Sequence, residues 1–329
     1  MYVERDRPGA VIAGKYELLE LAGRGGMATV WRAVTLGAAG FRRPVAVKRI
    51  LSTLIGSRDF VTLFVEEARV CADLSHPNIV QTHDFGRDEQ GMYYLVLEWV
   101  EGLDMRRFLY AYEASGLRVP WPILTAITIE VLRALGAAHE RIDGRGRPAP
   151  VFHRDVNPQN ILLGLHGAVK LTDFGLARAM DRARITHPDI LKGKLSYMAP
   201  EMAFGHPASV QSDLFSVGVV LWETLVGRKL FEGADDVEVV LGVRRAEIPA
   251  LSSMRKDLPP PFSRIVERSL AREPKDRYAS ARQMGRELAG LLRRVAEPTD
   301  AQVVGQSVAE ARRRLQRLPP VPPETPLVG

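Results

Sequence analysis

The sequence predicts an α+β fold in two lobes: a small antiparallel β-rich N-lobe with one main helix, then a larger, mostly helical C-lobe. Three observations carry this reading. Residues 16–50 contain YELLELAG, TVWRAV and PVAVKRI, which are rich in β-branched and aromatic residues and separated by glycine-containing turns. Residues 58–74 switch to apolar side chains at three- and four-residue steps. After Gly102 almost every periodic segment keeps that helical spacing.

Taken in order, residues 16–50 are expected to form an antiparallel meander. A helix follows over 58–74, with Phe60, Leu63, Phe64, Ala68, Cys71 and Leu74 on one face. IVQTHDFG and MYYLVLEWV return to strand pattern, and 104–113 and 121–142 read as helices. GRGRPAP at 144–150 reads as an exposed insertion, and the short strands ILLG and AVKLTDFG are joined by LHG. Helical periodicity resumes at 211–226, 235–246, 261–272 and 279–295. The expected divisions are an N-terminal extension over 1–13, the N-lobe over 14–101, the C-lobe over 102–295, and a basic then proline-rich tail or linker over 296–329. That last stretch ends LPPVPPETPLVG, which favours extended polyproline conformation; a docking peptide for a partner domain is its second reading.

Composition narrows the function classes. With 46% hydrophobic and 26% charged residues in 329, the chain is globular rather than disordered. Lys and Arg number 45 against 39 Asp and Glu, a modest surplus without a long basic run or a nucleic-acid reading module, so no nucleic-acid partner is expected. A single cysteine, Cys71, excludes an intramolecular disulfide and a cysteine metal cluster and fits a reducing cytoplasm. MYVERDRPGAVIAG lacks the apolar centre of a signal peptide, and clusters such as VGVVLW at 217–222 fall short of membrane-spanning length, so no membrane segment is expected.

Five stretches carry chemistry. GRGGMATV at 23–30 places Gly23, Gly25 and Ala28 where small residues let backbone N–H groups approach phosphate oxygens. Dinucleotide-binding folds use a similar pattern, but theirs opens a helix, whereas TVWRAV reads as a strand. Lys48 in VAVK is expected on the third strand of the meander, and FVEEARVCADLSHPNIV carries two acids, Glu66 and Glu67, on the following helix. HRDVNPQN at 153–160 and TDFG at 172–175 follow in that order.

Together these motifs resemble those of protein kinases, specifically the eukaryotic-like Ser/Thr kinases of bacteria, over roughly residues 14–295. YMAPE at 197–201 and SDLFSVG at 212–218 extend the resemblance. It implies a two-lobed kinase fold with ATP and Mg²⁺ held between the lobes. In that frame Asp155 is the base that takes the acceptor proton, Lys48 and Glu67 form the phosphate-binding pair, and Asn160 and Asp173 are the metal ligands. Gly23, Gly25, Gly26, Ala28, Val30 and Ala46 line the nucleotide from the N-lobe. Leu97, Glu98, Val100 and Leu162 complete its surroundings, with the backbone of Glu98 and Val100 meeting adenine. Phe174 fixes the TDFG loop, Glu201 pairs with Arg277, and Asp213 bonds the backbone of the catalytic loop. The implied acceptors are Ser or Thr hydroxyls of proteins, with autophosphorylation and Thr186 as a candidate site. An ATP-binding scaffold with little turnover is the alternative, and a small-molecule kinase, which would generally lack YMAPE and SDLFSVG, a further rival.

The chain departs from the family at Asn157, where Ser/Thr kinases carry a lysine that balances charge on the transferred phosphate. Lys194 replaces, in turn, the threonine expected after Gly193. The two positions are neighbours in the family fold, so the expectation is that the charge lost at Asn157 returns at Lys194. Pro158, Gly193 and Tyr197 agree with Ser/Thr rather than Tyr kinases.

Overall fold

Alternating side chains in the N-terminal third do pair as a sheet. In the computed structural model, which describes residues 6–54, 57–174 and 195–318, the chain forms two compact units. The first comprises the chain up to His76 together with Val80–Trp99. It holds β1 (Val11–Ile12), β2 (Tyr16–Arg24), β3 (Ala28–Leu36), β4 (Arg42–Ile50), helix α1 (Arg58–Ala72), β5 (Thr82–Arg87) and β6 (Tyr93–Glu98). The six strands are antiparallel in the order β1-β2-β3-β4-β6-β5.

Register divides this sheet into two chemically different faces. Leu18, Trp31, Ala33, Val45, Val47 and Val96 form a dry cluster with Ile12, Tyr16 and Tyr94. Residues directly opposite in an antiparallel pair share a face and neighbours along a strand alternate. Ala28 opposite Ile50, Val30 opposite Lys48, and Ala46 opposite Leu97 therefore stand together on the other side. Cys71 is buried on α1 with Phe60, Leu63, Phe64 and Ala68. The segment read as an extension before residue 14 supplies β1: Ile12 enters the core, and Asp6 accepts from Arg49 Nε at 2.9 Å. Two residues are too short a strand to leave a periodic signal.

The second unit comprises Pro77–Ile79, Val100–Phe174 and residues 195–318. Strands β7 (Gly102–Asp104), β8 (Ile161–Gly164) and β9 (Val169–Leu171) make a small antiparallel sheet. Its helices are α2 (Met105–Glu113), α3 (Trp121–His139), α4 (Pro200–Ala203), α5 (Val210–Val226), α6 (Asp236–Arg245), α7 (Leu251–Met254), α8 (Pro260–Ser269), α9 (Ala281–Leu292) and α10 (Ala301–Leu315). Helix α3 is long and apolar enough to cross a membrane, but it is mostly buried and packs against α5 and α9 as a core helix. Helix α5 begins at a reciprocal Ser209–Ser212 capping box and ends at Gly227, whose φ of +82° closes the last turn.

Helix α10 departs from the reading of 296–329 as a tail. Asp300 caps it, and Val304, Gly305, Val308 and Ala311 are buried against α2, α3, β7 and β8. Its apolar face is narrow, and three arginines in the last turn mask it in the sequence. Two glycines allow the close approach: a Cβ on Gly305 would lie 2.5 Å from the Leu165 carbonyl, and one on Gly167 would collide with the Ala301 carbonyl. GRGRPAP, by contrast, forms an exposed turn as its composition predicts, with a single bridge between Ile142 and Pro148.

Candidate active site

The N-terminal unit brings together the buried pair Lys48 and Glu67. Lys48 Nζ donates to Glu67 Oε1 at 2.6 Å, and both side chains are almost fully buried. Strand β4 fixes the lysine on the face shared with Val30, Ala46 and Leu97, while α1 carries the glutamate. Withdrawing an ammonium and a carboxylate from water is costly, and their direct contact offsets part of that cost. The β2–β3 hairpin keeps Gly23 opposite Val30, with Gly25 and Gly26 in its turn, and Gly25 N–H closes that turn onto the Ala28 carbonyl at 2.8 Å. Glu98 N–H is committed to the Gln81 carbonyl at 2.8 Å.

A second buried cation sits beside Lys48. Arg49 reaches Asp88 at 2.8 Å and Asp6 at 2.9 Å, so the opposite face of the strand is also charge-balanced. The basic dipeptide KR in VAVKRI signals two cations but not that both are internal, because the acidic partners are remote in sequence.

In the C-terminal unit the loop 153–160 is organised around Asp155. Asn157 Nδ2 donates to Asp155 Oδ1 at 2.9 Å, and Asn160 Nδ2 donates to Oδ2 at 3.0 Å. Each carboxylate oxygen is thus held by one neutral amide. The amide orientations follow from the network. Asn157 Oδ1 accepts from the N–H groups of Gln159 and Asn160 at 2.9 and 3.3 Å, capping the single 3₁₀ turn Pro158–Asn160. Its NH₂ group must therefore face Asp155. Asn157 is buried and engaged at both ends of its amide, so it acts on the loop itself.

Asp213, at the start of α5, locks the same loop from behind. Its carboxylate accepts from His153 N–H at 2.8 Å, Arg154 N–H at 2.7 Å and His139 Nε2 at 2.8 Å. Burial alone would raise its pKa, but the His139 contact and the backbone donors outweigh burial and hold the carboxyl below the usual range. These bonds hold Arg154 in a left-handed conformation, φ +67°, a strained geometry at the residue preceding Asp155. His153 links the loop to the next motif. Its Nδ1 faces the Asp155 N–H at 3.2 Å and its Nε2 faces the Thr172 carbonyl at 2.9 Å, a pair of contacts that fits only the neutral tautomer protonated at Nε2.

Thr172 N–H also donates to the Asn160 backbone carbonyl at 3.0 Å, which brings the chain leaving β9 alongside the catalytic loop. Asp173 follows at φ +63°, and the buried Phe174 ring meets His153 edge-on at 4.6 Å. Asn160 and Asp173 are therefore carried on adjoining backbone segments. An amide oxygen and a carboxylate are hard donors that fit Mg²⁺, and no cluster of three His, Cys, Asp or Glu occurs among the described residues to favour a softer metal. Leu162, on β8, is half-buried beside this hairpin.

Two further contacts stabilise the unit. Arg277 grips Glu201 through two bonds of 2.8 Å, as the motifs YMAPE and KDRY predict. Tyr197 OH donates to Glu223 at 2.7 Å and receives Lys229 at 2.8 Å, a link that the sequence alone does not signal. Lys194, Gly193, Thr186 and the proline-rich stretch 319–329 lie outside the described residues.

Comparison with known proteins agrees with this geometry. The protein kinase domain family matches residues 16–287. The chain is 38% identical over 268 residues to the tyrosine-protein kinase MasK of Myxococcus xanthus, covering 82% of this chain and 41% of the relative. It is 34% identical over 276 residues to the serine/threonine-protein kinase PrkC of Bacillus subtilis, covering 84% and 40%. It is also 37% identical over 280 residues to the serine/threonine-protein kinase PknA of Mycobacterium tuberculosis, covering 83% and 60%. The chain thus spans about two fifths of the length of the first two curated relatives. Among solved structures, the Mycobacterium tuberculosis PknI kinase domain aligns with a TM-score of 0.63 at 26% identity, covering 88% of this chain and 99% of that one.

Proposed function

The chain belongs to the protein kinase family, and from that premise we propose that it transfers the γ-phosphoryl of ATP to Ser or Thr hydroxyls of protein substrates. The observation that carries the proposal is Asp155, a carboxylate held on both oxygens by neutral amides and fixed from behind through Asp213. These two amides orient the carboxylate, which suits a base that must accept the proton of an incoming hydroxyl. As the acceptor oxygen bonds to the γ-phosphorus, the bond to the ADP leaving oxygen breaks and the acceptor proton passes to Asp155. Lys48, held by Glu67, binds the α- and β-phosphates, and the glycine turn at 23–26 offers backbone N–H groups to them. With its N–H committed to Gln81, Glu98 meets adenine through its carbonyl, and Val100 through its N–H. Asn160 and Asp173 would hold Mg²⁺, which supplies charge neutralisation of the phosphates when bound.

Asn157 enters this scheme as a positioning residue for Asp155, and Lys194 as the charge on the transferred phosphate. PrkC and PknA, both named serine/threonine kinases, support Ser/Thr acceptors. A tyrosine acceptor is the second reading, favoured by the 38% identity to MasK, named a tyrosine kinase, and by the missing threonine at Lys194.

Labelled ATP, Mg²⁺ and a generic basic protein, followed by phosphoamino-acid analysis, test both. Label on Ser or Thr that disappears in Asp155→Asn is the expected outcome. Lys194→Ala should cut turnover by about 10² if that lysine stabilises the transferred charge. Label confined to Tyr would establish the second reading. ATP binding without transfer would overturn both in favour of a scaffold.

A further inference from the structure

Helix α10 lies beyond every motif that carries the chemistry, yet it packs against β7 and β8 as well as α2 and α3. At its start, Ala301 and Gly305 meet the turn that joins β8 to β9. A Cβ on Gly305 would stand 2.5 Å from the Leu165 carbonyl and 2.8 Å from the Gly167 nitrogen. Near its end, Arg312 pairs with Glu101 at 2.8 Å, and Arg314 lies 5.0 Å from the ring centroid of Tyr112 on α2. Ala301 and Arg312 are about 16 Å apart along the axis, at a rise of about 1.5 Å per residue. The helix is therefore a splint fixed at both ends across β7 and β8.

Glu101 is where the splint reaches the proposed nucleotide contacts of this unit. It follows Val100, whose N–H is assigned to adenine, and precedes β7. Its carbonyl accepts from Leu165 N–H at 2.9 Å, which extends the β7–β8 ladder to the turn that Gly305 touches. Its carboxylate is the partner of Arg312. Strand β8 carries Leu162, the other residue of this unit assigned to adenine, opposite Asp104. One helix thus holds the start of β7 and the end of β8, on either side of Val100 and Leu162 in the ladder. The Arg312 and Glu101 side chains are 43% and 41% exposed, so their pairing adds little to the stability of the fold. Its loss is to be read at the nucleotide rather than in unfolding.

We propose that α10 is a positioning element for the nucleotide: seated on Glu101 and on the β8–β9 turn, it holds Val100 and Leu162 at the spacing adenine needs, and its release weakens ATP binding. This deepens the kinase reading and rests on its assignment of those two residues. Coupling between two sites is reciprocal, so bound nucleotide tightens the seat of α10 by the factor by which the seated helix tightens nucleotide. Anything that displaces α10 lowers the affinity for ATP.

Calorimetric titration of full-length variants with the β,γ-imido analogue of ATP and Mg²⁺ tests this without requiring turnover. Arg312→Glu is expected to raise Kd about fivefold, as is Glu101→Arg, and the double variant, which restores the pair with its charges exchanged, should return Kd to within about twofold of wild type. Arg313→Glu makes the same change of charge at the exposed neighbouring position and should leave Kd unchanged. Gly305→Ala, which disturbs the other end of the helix, should raise Kd about tenfold. In transfer assays Arg312→Glu should raise KM for ATP by the factor seen in Kd, with kcat and the unfolding temperature unchanged. Saturating analogue should slow amide exchange in 301–315 of the wild type several-fold. Unchanged Kd in both Arg312→Glu and Gly305→Ala, or an equal rise in Arg313→Glu, would overturn the proposal and leave the kinase reading intact. The expected pattern of Kd without transfer in any form would sustain the positioning role and sink the kinase reading, and a wild type that binds no nucleotide would sink both.

Discussion

Asn157 shows how one departure from a motif is absorbed locally. A lysine there would carry charge towards the phosphate, whereas the amide spends its acceptor on two backbone N–H groups and its donor on Asp155. Asn157→Ala removes the cap and leaves one oxygen of Asp155 without its amide. We expect kcat to fall by about tenfold with KM for ATP nearly constant, in steady-state kinetics. Asn157→Asp should be worse, because it sets a second negative charge against the base. Asp213 allows a pH prediction. Its folded carboxyl lies below the ordinary value of about 3.9, so its contribution to stability is complete above that pH and is lost as pH falls through the depressed folded value. Asp213→Asn should cost about 3–5 kcal/mol at neutral pH, and the acid limb of a thermal-unfolding profile should become shallower than in wild type.

At the scale of elements, what positions the chemistry is register and close approach. The pairing of β3 with β4 and of β4 with β6 sets Lys48 on the face opposite the dry core, so slipping either strand by one residue would bury Val47's neighbours on the wrong side. The hairpin β8–β9 and helix α10 meet at Gly167, whose φ of +81° and contact with the Ala301 carbonyl leave no room for a side chain. Gly146 has a similar φ of +77° but open space around it. Gly146→Ala should therefore cost only the local strain of about 1 kcal/mol. Gly167→Ala should cost more and, in exchange measurements, selectively release amides of 301–315. Equal effects at both sites would show that α10 is not seated there. The Glu201–Arg277 pair joins α4 to the segment between α8 and α9. Arg277 is fully buried, so Arg277→Ala should destabilise by about 3–5 kcal/mol on chemical denaturation.

The whole molecule has two cores of different construction, a sheet with one helix and a helical assembly around α3 and α5. Separate cores predict unfolding that departs from two-state behaviour. Trp31 and Trp99 belong to the first unit, and Trp121 and Trp222 to the second. Replacing one pair by Phe leaves fluorescence from the other, and the two reporters should give different urea midpoints; coincident curves would show a single cooperative unit.

Much of this protein was legible without coordinates. Periodicity separated the β-rich part from the helical part, because a strand repeats every two residues and a helix every 3.6. Motif spacing singled out Lys48, Glu67, Asp155, Asn160 and Asp173, since each motif is a short run of backbone with little freedom. Tertiary structure decided the rest: that Asn157 turns inward, that His139 and His153 serve the catalytic loop, that Arg49 is internal, and that α10 is docked. Asn157 turns inward through partners within three residues of it, whereas the others depend on partners distant in sequence. A composition that reads as exposed, such as ARRRLQR or a buried dipeptide KR, reveals its position only when the chain brings the opposing carboxylate, ring or glycine against it.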